Sequence, residues 1–307
     1  MRIDDNHLSQ WRANGYTVVE SFLSAEELEG LQEDAALYFP PWEEFVRHRP
    51  RYPHLETRFG HVTFPYLGRR LNMLSLHEDL IDFAERALGT RDIFLTQSGT
   101  AAKYAGTADF EQDLHLDYGN NTLLVPRPDG RWHQLGCIVY LSEVTRDMGP
   151  TYIVPGIMRG EAAHWPGTRP RRGWQQLYAQ ERAVEVPAGS VLLYSMSTLH
   201  RGSRMTATSG VRYSHHLSWR AAGLEWMAFH AFARSGREPG MTLVMEQASP
   251  RQRETLGVPP PGHEYWTAET IAGVASRYPG WDMEPYRRHL GQASAAGASG
   301  VHGSGRW

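Results

Sequence analysis

The chain is nearly without cysteine: Cys137 is the one thiol in 307 residues. An intramolecular disulfide is therefore excluded, and so is a zinc site built on cysteines. Long apolar runs are missing too, and none approaches the roughly 20 residues that span a bilayer. The opening segment MRIDDNHLSQ lacks the apolar core of a secretory signal. These gaps make the cytoplasm the expected location and leave no role in a membrane. An excess of charge of one sign is also lacking. Lys and Arg number 31 against 34 Asp and Glu, a net charge of −3, so attraction to nucleic acid through bulk charge is not expected. What is abundant is histidine, with 15 residues, and aromatic side chains, with 10 Trp, 14 Tyr and 10 Phe. That pair of excesses suits a metal-dependent pocket, although surface histidines account for most such counts. The length allows one large domain or two small ones with a sizeable core.

No internal repeat is present. The first ninety residues predict mostly helix. Leu8 and Trp11 share a helical face ahead of a stop at Gly15, and Tyr16–Phe22 is β-rich. Ser24 with Glu27 three places on forms a capping box, opening a helix with an apolar stripe at Leu28, Leu31 and Leu37 that ends at Pro40-Pro41. Residues 42–74 read as irregular. Ser75 and Glu78 suggest a second capping box, followed by Leu80, Ile81, Phe83, Ala84 and Leu88, with Gly89 as the stop. From about residue 92 the pattern changes to strands: 92–104, 113–118, 135–141, 151–154, 183–186, 190–194 and 211–219. Turn chemistry separates them at Pro128-Asp129-Gly130, Gly149-Pro150, Pro155-Gly156 and Pro187-Ala188-Gly189. Many short strands joined by turns argue for a β-sandwich or barrel. Helical and loop-rich character returns after Trp226, with Ser249-Pro250 as a helix start and Leu256-Gly257 as an exit. Residues 291–307 are small, polar and aperiodic, the composition of a disordered tail.

The segment Glu111-Gln-Asp-Leu-His-Leu-Asp117 holds the first chemical signal. On a strand, His115 and Asp117 would project side by side from one face. An imidazole and a carboxylate so placed suit two adjacent positions on an octahedral ion. One more histidine would complete the 2-His-1-carboxylate set that binds Fe(II) and leaves three positions open. The second signal is Pro187-Ala-Gly-Ser-Val-Leu-Leu-Tyr-Ser-Met-Ser-Thr-Leu-His200, a turn and an apolar strand leading to a histidine. Twelve residues later comes Arg212, and a buried arginine can fork onto a carboxylate such as the far one of 2-oxoglutarate.

Together these segments resemble the phytanoyl-CoA dioxygenase family of Fe(II)/2-oxoglutarate oxygenases, which includes the ectoine hydroxylases. The likeness runs over roughly residues 8–220. NHLSQWRANGYTVVESFLSAEELEGLQ is similar to the family's N-terminal lead-in, QDLHLD to its H-x-D segment, CIVYLSEVTRDMGPTYIVPG to its strand–turn–Pro-Gly stretch, and VPAGSVLLYSMSTLHRGS to its distal-histidine segment. The resemblance implies a mainly β fold with flanking helices, a cupin-like double-stranded β-helix or jelly roll. It implies one oxygenase domain over residues 1–290, with the jelly roll at about 92–220 between helical flanks 1–91 and 221–290. It assigns His115, Asp117 and His200 to iron and Arg212 to 2-oxoglutarate, with Gln97 and Ser203 as further cosubstrate contacts. The cofactors implied are Fe(II), 2-oxoglutarate and O2, and the partner is a small-molecule substrate, with no nucleic acid and no membrane. The reaction implied is hydroxylation of an unactivated C–H bond, with release of succinate and CO2. Asp117 argues for hydroxylation, desaturation or cyclisation over halogenation, since related halogenases carry a small residue there. Two positions depart from the family pattern: Ile157-Met158 replaces the usual Ser-His after Pro-Gly, and Arg201 stands where glycine is common.

Rival accounts exist for each residue. His115 and His200 could be a satisfied core histidine and a surface one. Arg204 competes with Arg212 as the anchor. His215 and His216 are adjacent and face opposite sides of a strand; His216 is expected to line the pocket rather than ligate. Gln97 could simply bond a neighbouring strand. Phe64, Tyr118 and Trp132 could line the pocket or belong to the core. The run Arg169-Pro-Arg-Arg172 is expected to be a solvated loop, with an anionic substrate handle as the alternative. A jelly roll that binds metal and a small molecule without turnover shares all these residues, and a zinc hydrolase shares the triad.

Overall fold

The computed structural model describes residues 2–55, 60–107, 111–117, 134–159, 167–224, 232–236 and 238–290. Helix α1 (Asp5–Asn14) buries Leu8 and Trp11 and stops at Gly15, which takes the left-handed conformation that lets its N–H reach the Trp11 carbonyl. Strand β1 (Tyr16–Val19) follows. Helix α2 (Ala25–Ala36) opens on the Ser24–Glu27 capping box. Leu31 is buried, whereas Leu37 falls at the end of the helix and is exposed, so the expected apolar stripe is one residue shorter. Within 42–74, expected to be irregular, lie helix α3 (Trp42–Arg47), strand β2 (Gly60–Thr63) and helix α4 (Arg69–Ser75).

Helix α5 (Glu78–Leu88) is capped by His77, whose ring accepts from the Asp79 N–H, and not by Ser75. Ser75 is instead drawn into a buried polar network. Its hydroxyl meets the Leu71 carbonyl, the Ser98 hydroxyl and His215 Nε2 at 2.9–3.1 Å. Satisfying those groups away from water outweighs a cap that another side chain can supply.

The remaining strands are β3 (Ile93–Tyr104), β4 (Gln134–Tyr140), β5 (Thr151–Ile153), β6 (Arg182–Ala183), β7 (Val191–Ser195), β8 (His200–Gly202) and β9 (Val211–Ala221). They form two antiparallel sheets, one in the order β1-β7-β4-β9-β3-β2 and one in the order β6-β5-β8. Mostly antiparallel strands in two facing sheets with crossovers between non-consecutive neighbours make the expected jelly roll. The two faces of the large sheet divide by alternation. Leu135, Cys137, Val139, Leu193, Leu217 and Trp219 join the large core under the helices, with Leu71, Leu80, Phe83 and Val244. Ile138, Tyr140, Leu192 and Tyr194 join Ile153, Val184 and Val186 between the sheets. Strand β4 is therefore buried on both faces, which is why it reads as a continuous apolar run.

The C-terminal helices Pro239–Gln247 and Ala268–Arg277 add Met241, Val244 and Ile271 to the large core. Ser249 caps Pro250–Glu254 as expected. Phe64 is a core residue, 5.0 Å from the Phe232 ring. Tyr118, Trp132, the Pro128-Asp129-Gly130 turn and the 291–307 tail lie outside the described residues. Among the described residues no helix is long and apolar enough to cross a membrane.

Candidate metal and cosubstrate site

A cavity of about 570 Å3 opens between the two sheets. His115, Asp117 and His200 line it together, their ligand atoms within 4.8 Å of one another. The distal histidine is placed by β8. The H-x-D segment is not the regular strand expected over 113–118: within the described residues only Leu114 and His115 make bridges, to Arg169 and His200. That short pairing suffices, because His115 and His200 exchange both backbone hydrogen bonds, at 3.0 and 3.1 Å. The two rings therefore start from directly opposed residues, with centroids 4.5 Å apart.

Each ring is oriented in the same way. His115 Nδ1 faces the Asp113 carbonyl at 2.9 Å and His200 Nδ1 faces the Thr198 carbonyl at 3.0 Å. A carbonyl only accepts, so both Nδ1 atoms carry a proton and both Nε2 atoms are turned toward the Asp117 carboxylate. Asp117 completes the set, with Oδ1 3.6 Å from His115 Nε2 and Oδ2 3.3 Å from His200 Nε2. Adjacent donors about 2.1 Å from an octahedral ion lie roughly 3 Å apart; one ligand atom from each of the three residues lies within 4.8 Å of the others, so the side chains would draw together to hold one cation. Burial and the neighbouring His200 lower the His115 pKa. Burial also works against charge on Asp117 and on His200, but their mutual attraction prevails, lowering the carboxyl and raising the imidazole. A cation replacing the His200 proton would keep that compensation for the buried carboxylate.

Arg212 approaches the same cavity from β9 and is only 7% exposed. One of its terminal nitrogens donates to the Gly149 carbonyl, and its Nε has no partner. No carboxylate of the described residues pairs with it, and burial lowers its pKa. A buried guanidinium left with an idle donor is costly and calls for an anionic ligand with a planar fork of acceptors. The rival Arg204 is exposed to solvent. Gln97 also lines the cavity, for a reason that lies in the pairing: a bulge between Leu95 and Gln97 shifts the β3–β9 register. Ser203 is buried, with its hydroxyl donating to the Pro150 carbonyl and its own carbonyl accepting from Lys103 Nζ at 2.6 Å; it is not among the cavity-lining residues.

His216 lines the cavity and His215 points the other way, onto Thr100 and Ser75. Arg201, on β8 beside His200, faces away from the cavity. Its guanidinium clamps Glu181 through two bonds of 2.8 Å and Glu111 through one of 2.7 Å, locking the two histidine-bearing segments together. Arg169 departs from the expected solvated loop. Its backbone N–H bonds to the Leu114 carbonyl, which carries the side chain under the site at 2% exposure, while Arg171 and Arg172 stay exposed. Sequence reasoning missed Tyr194, which donates to Asp117 Oδ2 at 2.9 Å, and His61 of β2, which lies over Gly99. Tyr194 sits in a strand buried on both faces, so no periodicity marked it, and β2 was too short to register.

Residues 11–212 match the family model for phytanoyl-CoA dioxygenase (PhyH). A search of curated protein sequences finds no match. Among solved structures, the chain resembles SnoK, a non-heme α-ketoglutarate-dependent carbocyclase from nogalamycin biosynthesis. Identity is 19% and the TM-score 0.55, over 76% of this chain and 90% of that one. It also resembles EctD from S. alaskensis, crystallised with 2-oxoglutarate and 5-hydroxyectoine (19% identity, TM-score 0.55, 72% and 77% covered). HygX from Streptomyces hygroscopicus, with nickel, 2-oxoglutarate and hygromycin B bound, gives 17% identity, a TM-score of 0.52 and coverage of 72% and 88%. At these identities the structures speak for the shared jelly roll. The family match, spanning most of the chain and enclosing the His–Asp–His cluster and the buried arginine, decides the rest: the chain belongs to the phytanoyl-CoA dioxygenase family of Fe(II)- and 2-oxoglutarate-dependent oxygenases.

Proposed function

We propose that the chain oxidises an unactivated C–H bond of a small-molecule metabolite, by hydroxylation as the basic outcome, with release of succinate and CO2. When bound, iron with 2-oxoglutarate and O2 supplies the oxidant for such a bond. His115, Asp117 and His200 hold the metal on one face, and their backbone-anchored rings keep the ligand geometry fixed. Arg212 clasps the far carboxylate of 2-oxoglutarate, and Gln97 provides a second contact from β3. The observation that carries this reading is the buried Arg212 guanidinium, with an idle Nε and no carboxylate partner among the described residues, in the same cavity as the triad. Water, the reactant of a hydrolase, needs no such anchor. A metabolite substrate agrees with a 570 Å3 cavity. It also agrees with the small molecules named for the neighbours, hygromycin B and 5-hydroxyectoine.

Residues 1–290 act, on this reading, as one oxygenase domain. The test is succinate release by the protein with Fe(II), ascorbate and 2-oxoglutarate, together with mass spectrometry of a metabolite panel. A product heavier by one oxygen and dependent on 2-oxoglutarate supports the proposal. Metal and cosubstrate binding without succinate, over the whole panel, would favour a binding protein instead.

A further inference from the structure

We propose that Tyr194 is a positioning residue for the metal centre, its hydroxyl holding the Asp117 oxygen that does not ligate, so that the carboxylate binds through one oxygen only. This role rests on the iron-site reading above. Tyr194 lies on β7, 7% exposed, with its ring 4.7 Å from the His200 ring and its hydroxyl 2.9 Å from Asp117 Oδ2. Two features show that the place is built for this ring. Gly136 is its cross-strand partner, and a Cβ there would come within 2.4 Å of the tyrosine Cζ. Asp117 also presents its two oxygens to different histidines, Oδ1 toward His115 and Oδ2 toward His200. A carboxylate so centred can turn to offer both oxygens to one cation.

The family's chemistry needs three open positions, two for 2-oxoglutarate and one for O2. A two-oxygen carboxylate would take one of them. A phenol donor on Oδ2 opposes that turn and draws electron density from the carboxylate. Phenylalanine would keep the ring over Gly136 and remove only the donor, which makes the role separable from packing.

The experiment uses Co(II) as the probe, titrated anaerobically into the full chain and followed by its ligand-field absorption, with and without 2-oxoglutarate. Wild type, Tyr194→Phe and His200→Ala are compared. The expected result is one Co(II) per wild-type chain, and an affinity lower by about 10–100-fold in Tyr194→Phe. The ligand-field spectrum should be altered and 2-oxoglutarate binding weakened, in a variant that still unfolds cooperatively. An affinity and spectrum identical to wild type would overturn the proposal and leave Tyr194 a packing residue. A phenolate charge-transfer band in the Fe(III)-loaded wild type, lost in Tyr194→Phe, would overturn it differently, by making Tyr194 a ligand. Co(II) binding that His200→Ala leaves untouched would bring down the iron-site reading itself, and this role with it.

Discussion

Removing the Arg212 guanidinium is the sharpest perturbation of the proposed cosubstrate site. Arg212→Met keeps most of the stem and deletes the fork. The guanidinium is 7% exposed, has no carboxylate partner among the described residues and leaves Nε idle, so the proposed pairing with 2-oxoglutarate would be largely desolvated. Truncating one partner of such a pair costs about 2–5 kcal/mol, which corresponds to roughly 30- to 5,000-fold in affinity. The lost bond to the Gly149 carbonyl is common to free and bound states and cancels from that difference. The assay is the 2-oxoglutarate dependence of succinate release, with Arg204→Ala as the exposed control. Arg212→Met should raise the concentration needed by about 30-fold or more, while Arg204→Ala changes little. A second arm uses 2-oxopentanoate, the same chain without the far carboxylate. Wild type should reject it strongly, and Arg212→Met should bind it nearly as well as 2-oxoglutarate. An unchanged requirement in Arg212→Met, or a larger effect from Arg204→Ala, would refute the assignment.

His115→Ala should abolish turnover while the protein stays folded, because the backbone pairing of His115 with His200 does not depend on the ring; full activity would remove His115 from the metal set. With its substrate in high chloride, the wild-type enzyme should give oxygenated or dehydrogenated products, since Asp117 fills the third protein position in the proposed metal set. A chlorinated major product would contradict that role. Stability should fall in acid through His215 and His216, both lowered to about 3, chiefly by burial. Unfolded imidazoles take up protons near pH 6.5 while the folded ones do not, so the unfolded state binds more protons in that window. The contribution is therefore complete above about pH 6.5 and is lost toward pH 3, at about 1.4 kcal/mol per pH unit for each histidine. Urea midpoints between pH 7 and 5 measure the slope, which His215→Asn should reduce; an unchanged slope in that variant would refute it.

Local rules settled a good part of this protein from its residues alone. The stop at Gly15, the Ser24–Glu27 box and the Ser249 cap depend on contacts within four residues, and each stands in the structure. The long strands β3, β4 and β9 were legible within two residues because alternation or continuous burial marks them. His115, Asp117, His200 and Arg212 could be singled out because the resemblance supplied the long-range pairing that spacing lacks. The tertiary structure alone decided where side chains finally point. Counted by twos from Leu95, Gln97 belongs to the core face; the bulge against β9 turns it into the cavity. Ser75 looked like a helix cap until the fold brought Ser98 and His215 to it. Tyr194 meets Asp117 across 77 residues of chain, and His61 reaches the cavity through a four-residue strand. The physical reason is common to these cases. A local pattern records which groups must be satisfied or buried, whereas bulges, buried polar networks and converging ligands are fixed by the strand or helix that arrives opposite them.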